Sequence, residues 1–359
     1  MLIPSLFAKK NLGIDIGTSG IKMVELSSRS GKIKLENYGE ISADALYQKN
    51  FRTFSKNILL LSTDDISKAI RAVMEEAKIK TNKCTFSIPD FSTFFTAFEL
   101  PQMTAEELPQ AIRTEARKHV PIPLIEAMLD WQIIEGRVGD KKTNRLKILL
   151  VVIPNDVIDQ YQRIATAAGL QLTALEAEVF GLVRALVKKE EKGFYGLIDI
   201  GERSTTCSII DNRILKTSFS FDVSGRSFTE MVSKGLSIEN KVAEKLKRKY
   251  GILPWDVGLV GKNVGELLIP LVSNIARESD SVFKSFSFKE KKKIEKIILA
   301  GGGALLPGLL EYFKDYFKID VEIANPFKNM FCPQVLEKNL KQMGPSYAVS
   351  VGMALRAIE

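Results

Sequence analysis

Gly13-Ile14-Asp15-Ile16-Gly17-Thr18-Ser19-Gly20 is the stretch on which the fold turns. Residues 12–16 and 21–26 read as two short apolar strands, and residues 17–20 as the tight turn between them. Glycines at this turn let the amides of Thr18, Ser19 and Gly20 approach an anion, because a side chain would block a phosphate and glycine takes positive φ freely. Asp15, at the strand end, is a candidate for holding magnesium through water, an ion that keeps several waters and few carboxylates. Lys22 adds compensating charge. Taken alone, Gly-Thr-Ser-Gly is also ordinary turn chemistry.

The pattern returns in the second half of the chain. Gly196-Leu197-Ile198-Asp199-Ile200-Gly201 parallels the opening run, and Asp199, Gly201, Ser204 and Thr205 supply a like set of groups. Two similar lobes are expected, and two facing hairpins can clamp one polyphosphate. A third element, Ala300-Gly301-Gly302-Gly303-Ala304, follows a strand over 296–300, where small residues let a flat base lie against backbone.

Between these landmarks the periodicity predicts helices over 64–78, 156–168, 225–235, 238–250, 264–283, 304–317 and 347–358. Residues 84–88, 94–100, 129–135 and 146–153 read as strands around helices, an inserted unit over 84–170. Thr104 and Glu107 form a capping box, with Met103 able to staple onto Leu108. Pro109 is expected to kink the helix that follows, and Gly169 to end the helix over 156–168. The stretch over 43–61 has no clear assignment.

Bulk properties set the class. A chain of 359 residues, 45% hydrophobic and 26% charged, suits two ordinary globular lobes. Its longest apolar runs fall far short of the roughly 18 to 20 residues that span a bilayer. Lys9 and Lys10 follow the apolar residues of the N-terminus, the reverse of a secretory leader, so a cytoplasmic location is expected. Three cysteines, Cys84, Cys207 and Cys332, and the single His119 offer neither a disulfide framework nor a zinc cluster. The net charge of +8 suits an anionic partner without choosing one. The lysine run over 289–296 reads as a solvated loop or helix end, with a binding patch as the alternative; without interleaved aromatics it favours no nucleic-acid role.

Two Asp-Ile-Gly hairpins followed by a glycine loop resemble the actin-like ATPase superfamily over the whole chain. That family carries an Ala-Glu-x-x-Lys helix contacting ribose and adenine, matched here by Ala243-Glu244-Lys245-Leu246-Lys247. Within it, the chain is similar to the PilM family of type IV pilus proteins. The matching stretches are residues 7–26, 100–108 and 115–123, and the Val351-Gly352-Met353-Ala354-Leu355-Arg356 run. The architecture implied is α/β and FtsA-like: a two-lobed fold with duplicated mixed-sheet cores and a small α+β subdomain inserted in lobe one. Its expected parts are lobe one over 1–83, the insert over 84–170, a connecting helix over 171–190, lobe two over 191–345, and a C-terminal helix over 346–359 returning to lobe one.

The resemblance further implies ATP and Mg2+ as ligands. Gly17, Thr18, Ser19, Gly20, Lys22, Gly201, Ser204 and Thr205 would hold the phosphates. Asp15 and Asp199 would serve the metal, and Glu244, Lys247, Gly301, Gly302, Gly303 and Ala304 the adenosine. Hydrolysing relatives carry a glutamate in the connecting helix; Glu178 matches it best, with Glu176 as the alternative. Glu202 and Arg203 depart from the glycines that relatives often place after the second hairpin, so at most slow hydrolysis is expected. The implied partner is the cytoplasmic N-terminal peptide of PilN, besides other pilus platform and motor proteins. Membrane association would then be indirect, at the inner face of the cytoplasmic membrane. A sugar kinase of the same superfamily and a filament-forming FtsA-like division protein are the alternatives. FtsA is expected to continue into a membrane-targeting helix, whereas this sequence ends at Glu359.

Overall fold

The opening hairpin lies at the centre of a five-stranded sheet. A computed structural model describes residues 8–43, 51–55, 58–140, 143–253 and 258–359; residues 1–7, part of the reading against a leader, lie outside them. Strands β1 (Lys9–Ile16), β2 (Gly20–Arg29) and β3 (Lys32–Ser42) form an antiparallel meander, longer than the two short strands expected. After a two-stranded ribbon of β4 (Arg52–Ser55) and β5 (Ile58–Leu61), helix Thr63–Glu76 leads into β6 (Lys83–Ile88), which pairs parallel to β1. The helix buries Ile66, Ala69, Ile70 and Val73, the face its spacing predicts.

The chain then leaves this sheet. Strands β7 (Phe94–Pro101), β8 (Ala127–Glu135) and β9 (Arg145–Pro154) make a separate sheet in the order β7-β9-β8, covered by helix Leu108–Ala116. Thr104 and Glu107 make the reciprocal bonds of a capping box, with the Thr104 amide donating to Glu107 at 2.9 Å. Pro109 does not kink the helix. It sits in the first turn, where no backbone donor is needed.

Helix Asn155–Ala168 and β10 (Gln171–Ala177) return to lobe one, giving the sheet order β10-β6-β1-β2-β3. Gly169 ends that helix at φ 75°, the left-handed cap its sequence predicts. The separate sheet thus spans 94–154, narrower than the unit drawn over 84–170. Residues 84–88 pair with β1, and Val157, Tyr161 and Ile164 share a core with Leu12, Ile14 and Ile70. Long-range pairing places both flanks in lobe one, and alternation along the chain does not reveal it.

After helix Glu178–Leu186, lobe two repeats the topology. Strands β11 (Phe194–Ile200), β12 (Thr205–Asp211) and β13 (Ile214–Phe221) form the meander; β14 (Lys296–Ala300) and β15 (Asp320–Ile323) extend it in parallel, in the order β13-β12-β11-β14-β15. Helices Gly225–Leu236, Asn240–Tyr250 and Gly258–Glu290 pack beside it. The helix expected over 304–317 is split. A short 3-10 turn, Gly302–Leu305, is separated from helix Leu309–Phe317 by Pro307 and Gly308, the latter at φ 85°.

The final helix, Glu337–Leu355, begins ten residues before the predicted 347, because Gly344 and Pro345 interrupt its apolar periodicity. It returns to lobe one. The Asn11 side chain donates to the carbonyls of Met353 and Ala354, and Tyr347, Val351 and Ala354 share a core with Val24 and Leu26. A further core joins the insert to lobe two: Ile134, Leu149 and Val151 pack with Val179, Leu182, Leu197, Ile210 and Leu215.

Candidate functional site

Both hairpins point their turns into one cavity of about 530 Å³ between the lobes. It is lined by Asp15, Gly17, Thr18, Ser19, Gly20 and Lys22 from lobe one, and by Asp199, Gly201, Ser204, Glu244, Lys247, Gly301, Gly302 and Gly303 from lobe two. A volume in this range matches small-ligand clefts. Two predicted residues do not line it. Thr205 is fully buried and donates to the Val223 carbonyl at 2.6 Å, while Thr206 faces the cavity. The register decides this: Thr206 lies opposite Asp199 and Thr205 opposite Ile200, and neighbouring strand residues face opposite sides. Ala304 is buried beneath the loop.

The hairpins close similarly. Gly17 donates to the Gly20 carbonyl at 2.8 Å, and Gly201 to that of Ser204 at 3.0 Å. Positive φ was the expected reason for glycine at these turns, yet among the cleft glycines only Gly301 adopts it, at 81°. A Cβ there would lie 2.4 Å from the Asp199 Oδ1. Gly302 faces open space, whereas a Cβ on Gly303 would meet Ile200 at 2.2 Å. The middle glycine leaves room for a ligand, and its neighbours let the loop lie on β11.

Asp15 is buried, accepts the Ser87 hydroxyl at 2.7 Å and lies 3.5 Å from the Arg52 guanidinium. The same guanidinium pairs with Glu178 at 2.7 Å. Burial pushes the Glu178 carboxyl up, while Arg52 opposes that shift. The Asp199 side chain makes no hydrogen bond or ion pair with the described residues; burial, with Glu178 and Asp15 nearby, raises its carboxyl to about 7. Asp90 is raised well above the carboxylate range, first by burial and then by Glu178. Its Oδ1 accepts the Val179 amide at 3.1 Å, capping helix Glu178–Leu186, whose own N-cap residue Ala177 has no side-chain acceptor. Of the two candidate glutamates, Glu178 lines the cleft; Glu176 lies on β10, paired with Arg184 at 2.6 Å.

Glu244 and Lys247 are not a solvated pair. The Lys247 ammonium is buried and reaches Glu244 at 2.5 Å, Thr229 at 2.9 Å and the Gly225 carbonyl at 3.1 Å. Glu202 also lines the cavity, its carboxyl raised by burial. Sequence reasoning missed Arg52, Ser87 and Asp90, which surround the cleft carboxylates. Among the described residues no three His, Cys, Asp or Glu side chains are arranged as a ready metal centre, and no helix is long and apolar enough to cross a membrane.

Comparisons with known proteins agree with this architecture. A chain of the solved "PilM-PilN type IV pilus biogenesis complex" superposes with a TM-score of 0.81 at 21% identity, covering 97% of this chain and 98% of that one. MreB5 of Spiroplasma citri bound to ADP gives a TM-score of 0.56 at 14% identity, covering 97% of this chain and 95% of that one. The cell division protein FtsA of Enterococcus faecalis is 23% identical over 351 residues, 88% of this chain and 78% of that protein. These likenesses show the two-lobed actin-like fold. The family described as type IV pilus assembly protein PilM matches residues 13–358, and the chain belongs to that family.

Proposed function

We propose that this chain is an ATP-binding scaffold of the type IV pilus inner-membrane platform, whose nucleotide state sets the angle between its lobes and thereby its grip on a partner. The carrying observation is the convergence of both hairpins, the Gly301 loop and the Glu244–Lys247 pair on a single cleft. The donor set fits Mg-ATP: turn amides and Lys22 for phosphates, Asp15 and Asp199 on facing hairpins for a hydrated magnesium, and an open Gly302 for a flat base. Magnesium would neutralise the phosphates and offset the repulsion among the carboxylates. Lys247 and Glu244 would orient the ribose.

Glu178 lines the cleft and in this reading would be the carboxylate that orients water, but Arg52 holds it in a buried ion pair. Turnover is therefore slow in this reading, and the cleft acts chiefly as a sensor. Closure is felt at the insert, because Ile134, Leu149 and Val151 share a core with lobe two and Lys147 pairs with Glu290 at 3.0 Å. A ligand preferring the closed state shifts that equilibrium by its differential affinity alone.

The partner proposed is the cytoplasmic N-terminal peptide of PilN, by likeness to the solved complex, docking against the insert or its junction with lobe one. The protein would then sit at the inner face of the cytoplasmic membrane. Calorimetric titration of the purified chain with Mg-ATP tests the clamp: Asp15→Ala and Asp199→Ala are expected to weaken binding, and unchanged affinity in both rejects it. Titrating a PilN N-terminal peptide with and without Mg-ATP tests the switch; equal peptide affinity under both conditions removes it.

A further inference from the structure

We propose that the end of lobe two opposite the cleft is a docking face for an anionic lipid bilayer. Strands β11 and β14 run parallel, with Asp199 and Ala300 paired at their cleft ends and Tyr195 and Lys296 at the other. Four residue steps separate the two ends, about 13 Å along a strand. At the far end helix Gly258–Glu290 finishes, and Phe288 in its last turn is 80% exposed.

Lysines follow that ring along the chain. Lys289, Lys291, Lys292 and Lys293 are all exposed, and none forms an ion pair with the described residues. Glu290, the acid within the run, is held by Lys147 at 3.0 Å. Glu295 is also exposed at this end and lies beside the Phe194 amide, 3.4 Å away. The Lys291 ammonium sits 4.6 Å from the Phe288 ring centroid, and that of Lys292 is 5.9 Å from the Phe194 ring.

Chemistry selects the occupant. Protein interface cores are depleted in lysine, whereas an exposed aromatic ring among unpaired lysines matches a bilayer boundary. There the ring enters the acyl edge and the ammoniums meet lipid phosphates. With no helix among the described residues able to span a bilayer, this contact is peripheral and weak by itself. Each lysine contributes about fivefold to partitioning onto an anionic surface, so a second attachment would be needed for stable residence. The face is remote from the nucleotide cleft and stands independently of it.

The test is co-sedimentation of the full chain with vesicles of phosphatidylcholine alone or mixed with phosphatidylglycerol. Binding is expected to the mixed vesicles alone and to be lost in high salt. Combining Lys291→Glu, Lys292→Glu and Lys293→Glu should weaken it at least about a hundredfold, with the melting midpoint retained because all three side chains are exposed. Phe288→Trp, which leaves the charge intact, should show a blue-shifted emission on mixed vesicles. Equal binding to neutral vesicles, undiminished binding by the triple variant, or an unshifted Trp emission would overturn the proposal. So would capture by soluble polyglutamate without vesicle binding, which would assign the face to an acidic protein.

Discussion

The two hairpins share a backbone and differ in what surrounds their aspartates. In lobe one, Ser87 lies one step beyond the Ile14–Phe86 pairing and donates to Asp15. The equivalent position in lobe two, opposite Asp199, is Ala300, which has no side-chain donor. Across the other strand Asp15 faces Lys22, whereas Asp199 faces Thr206. Arg52 adds a guanidinium beside Asp15. One aspartate has a hydroxyl donor and a guanidinium beside it; the other is a buried carboxylate lacking a hydrogen-bond donor among the described residues. The two hairpins keep the same turn geometry while charge compensation lies in lobe one, so a cation entering the cleft would act most on Asp199.

The largest expected effect comes from removing the cation that Asp15 and Glu178 share. Arg52→Met leaves Asp15 and Glu178 without that partner and should cost about 3–5 kcal/mol in denaturant unfolding. A midpoint within error of the parent would mean that Arg52 does not compensate the cluster.

Asp199→Asn should act in the opposite direction on the ligand-free protein. A carboxyl raised to about 7 in the folded state favours folding most at low pH, and that contribution is lost as pH rises from about 4 through 7. Above pH 7 the variant should therefore be more stable by about 2–4 kcal/mol, with a flatter stability–pH profile between those limits. Mg-ATP should bind it more weakly. A parallel stability–pH profile for parent and variant would remove the asymmetry.

Exchanging the register position sharpens the comparison. Ser87→Ala should cost about 1.5–3 kcal/mol, the range for a hydrogen bond to a charged group. Ala300→Ser should bring the Asp199 titration, followed by NMR, down from about 7. If the serine leaves that titration in place, the missing hydroxyl is not what distinguishes the lobes.

The smallest effect is predicted within the glycine loop. A methyl at Gly302 meets nothing within 4 Å, so Gly302→Ala should change stability by less than about 0.5 kcal/mol. Gly303→Ala, pressed against Ile200, should destabilise by about 1–3 kcal/mol. Equal melting points for the pair would show that the loop does not pack on β11 as described.

Much of the cleft was legible because its chemistry is local. Two Asp-Ile-Gly turns and a triple glycine after a strand each occupy a few consecutive residues, and their order carried the resemblance to a duplicated α/β fold, which in turn picked out Glu244 and Lys247. Thr205 was the wrong neighbour of Thr206, although counting cross-strand partners from the turn would have placed Thr206 opposite Asp199. Arg52, Ser87 and Asp90 left no such trace. They reach their partners across 37, 72 and 89 residues, and Arg52 stands in a stretch without periodicity.

Sequence alone determined the hairpins, the duplication and the candidate phosphate groups, because turn geometry and hydrophobic period are written in adjacent residues, while the candidate adenosine pair Glu244 and Lys247 came from the family resemblance. Tertiary structure decided which strands belong to the insert, that Glu178 rather than Glu176 reaches the cleft, and that Asp199 lacks the donor available to Asp15. Those outcomes depend on register and burial, which bring distant residues to one place and set the energy of every charge there.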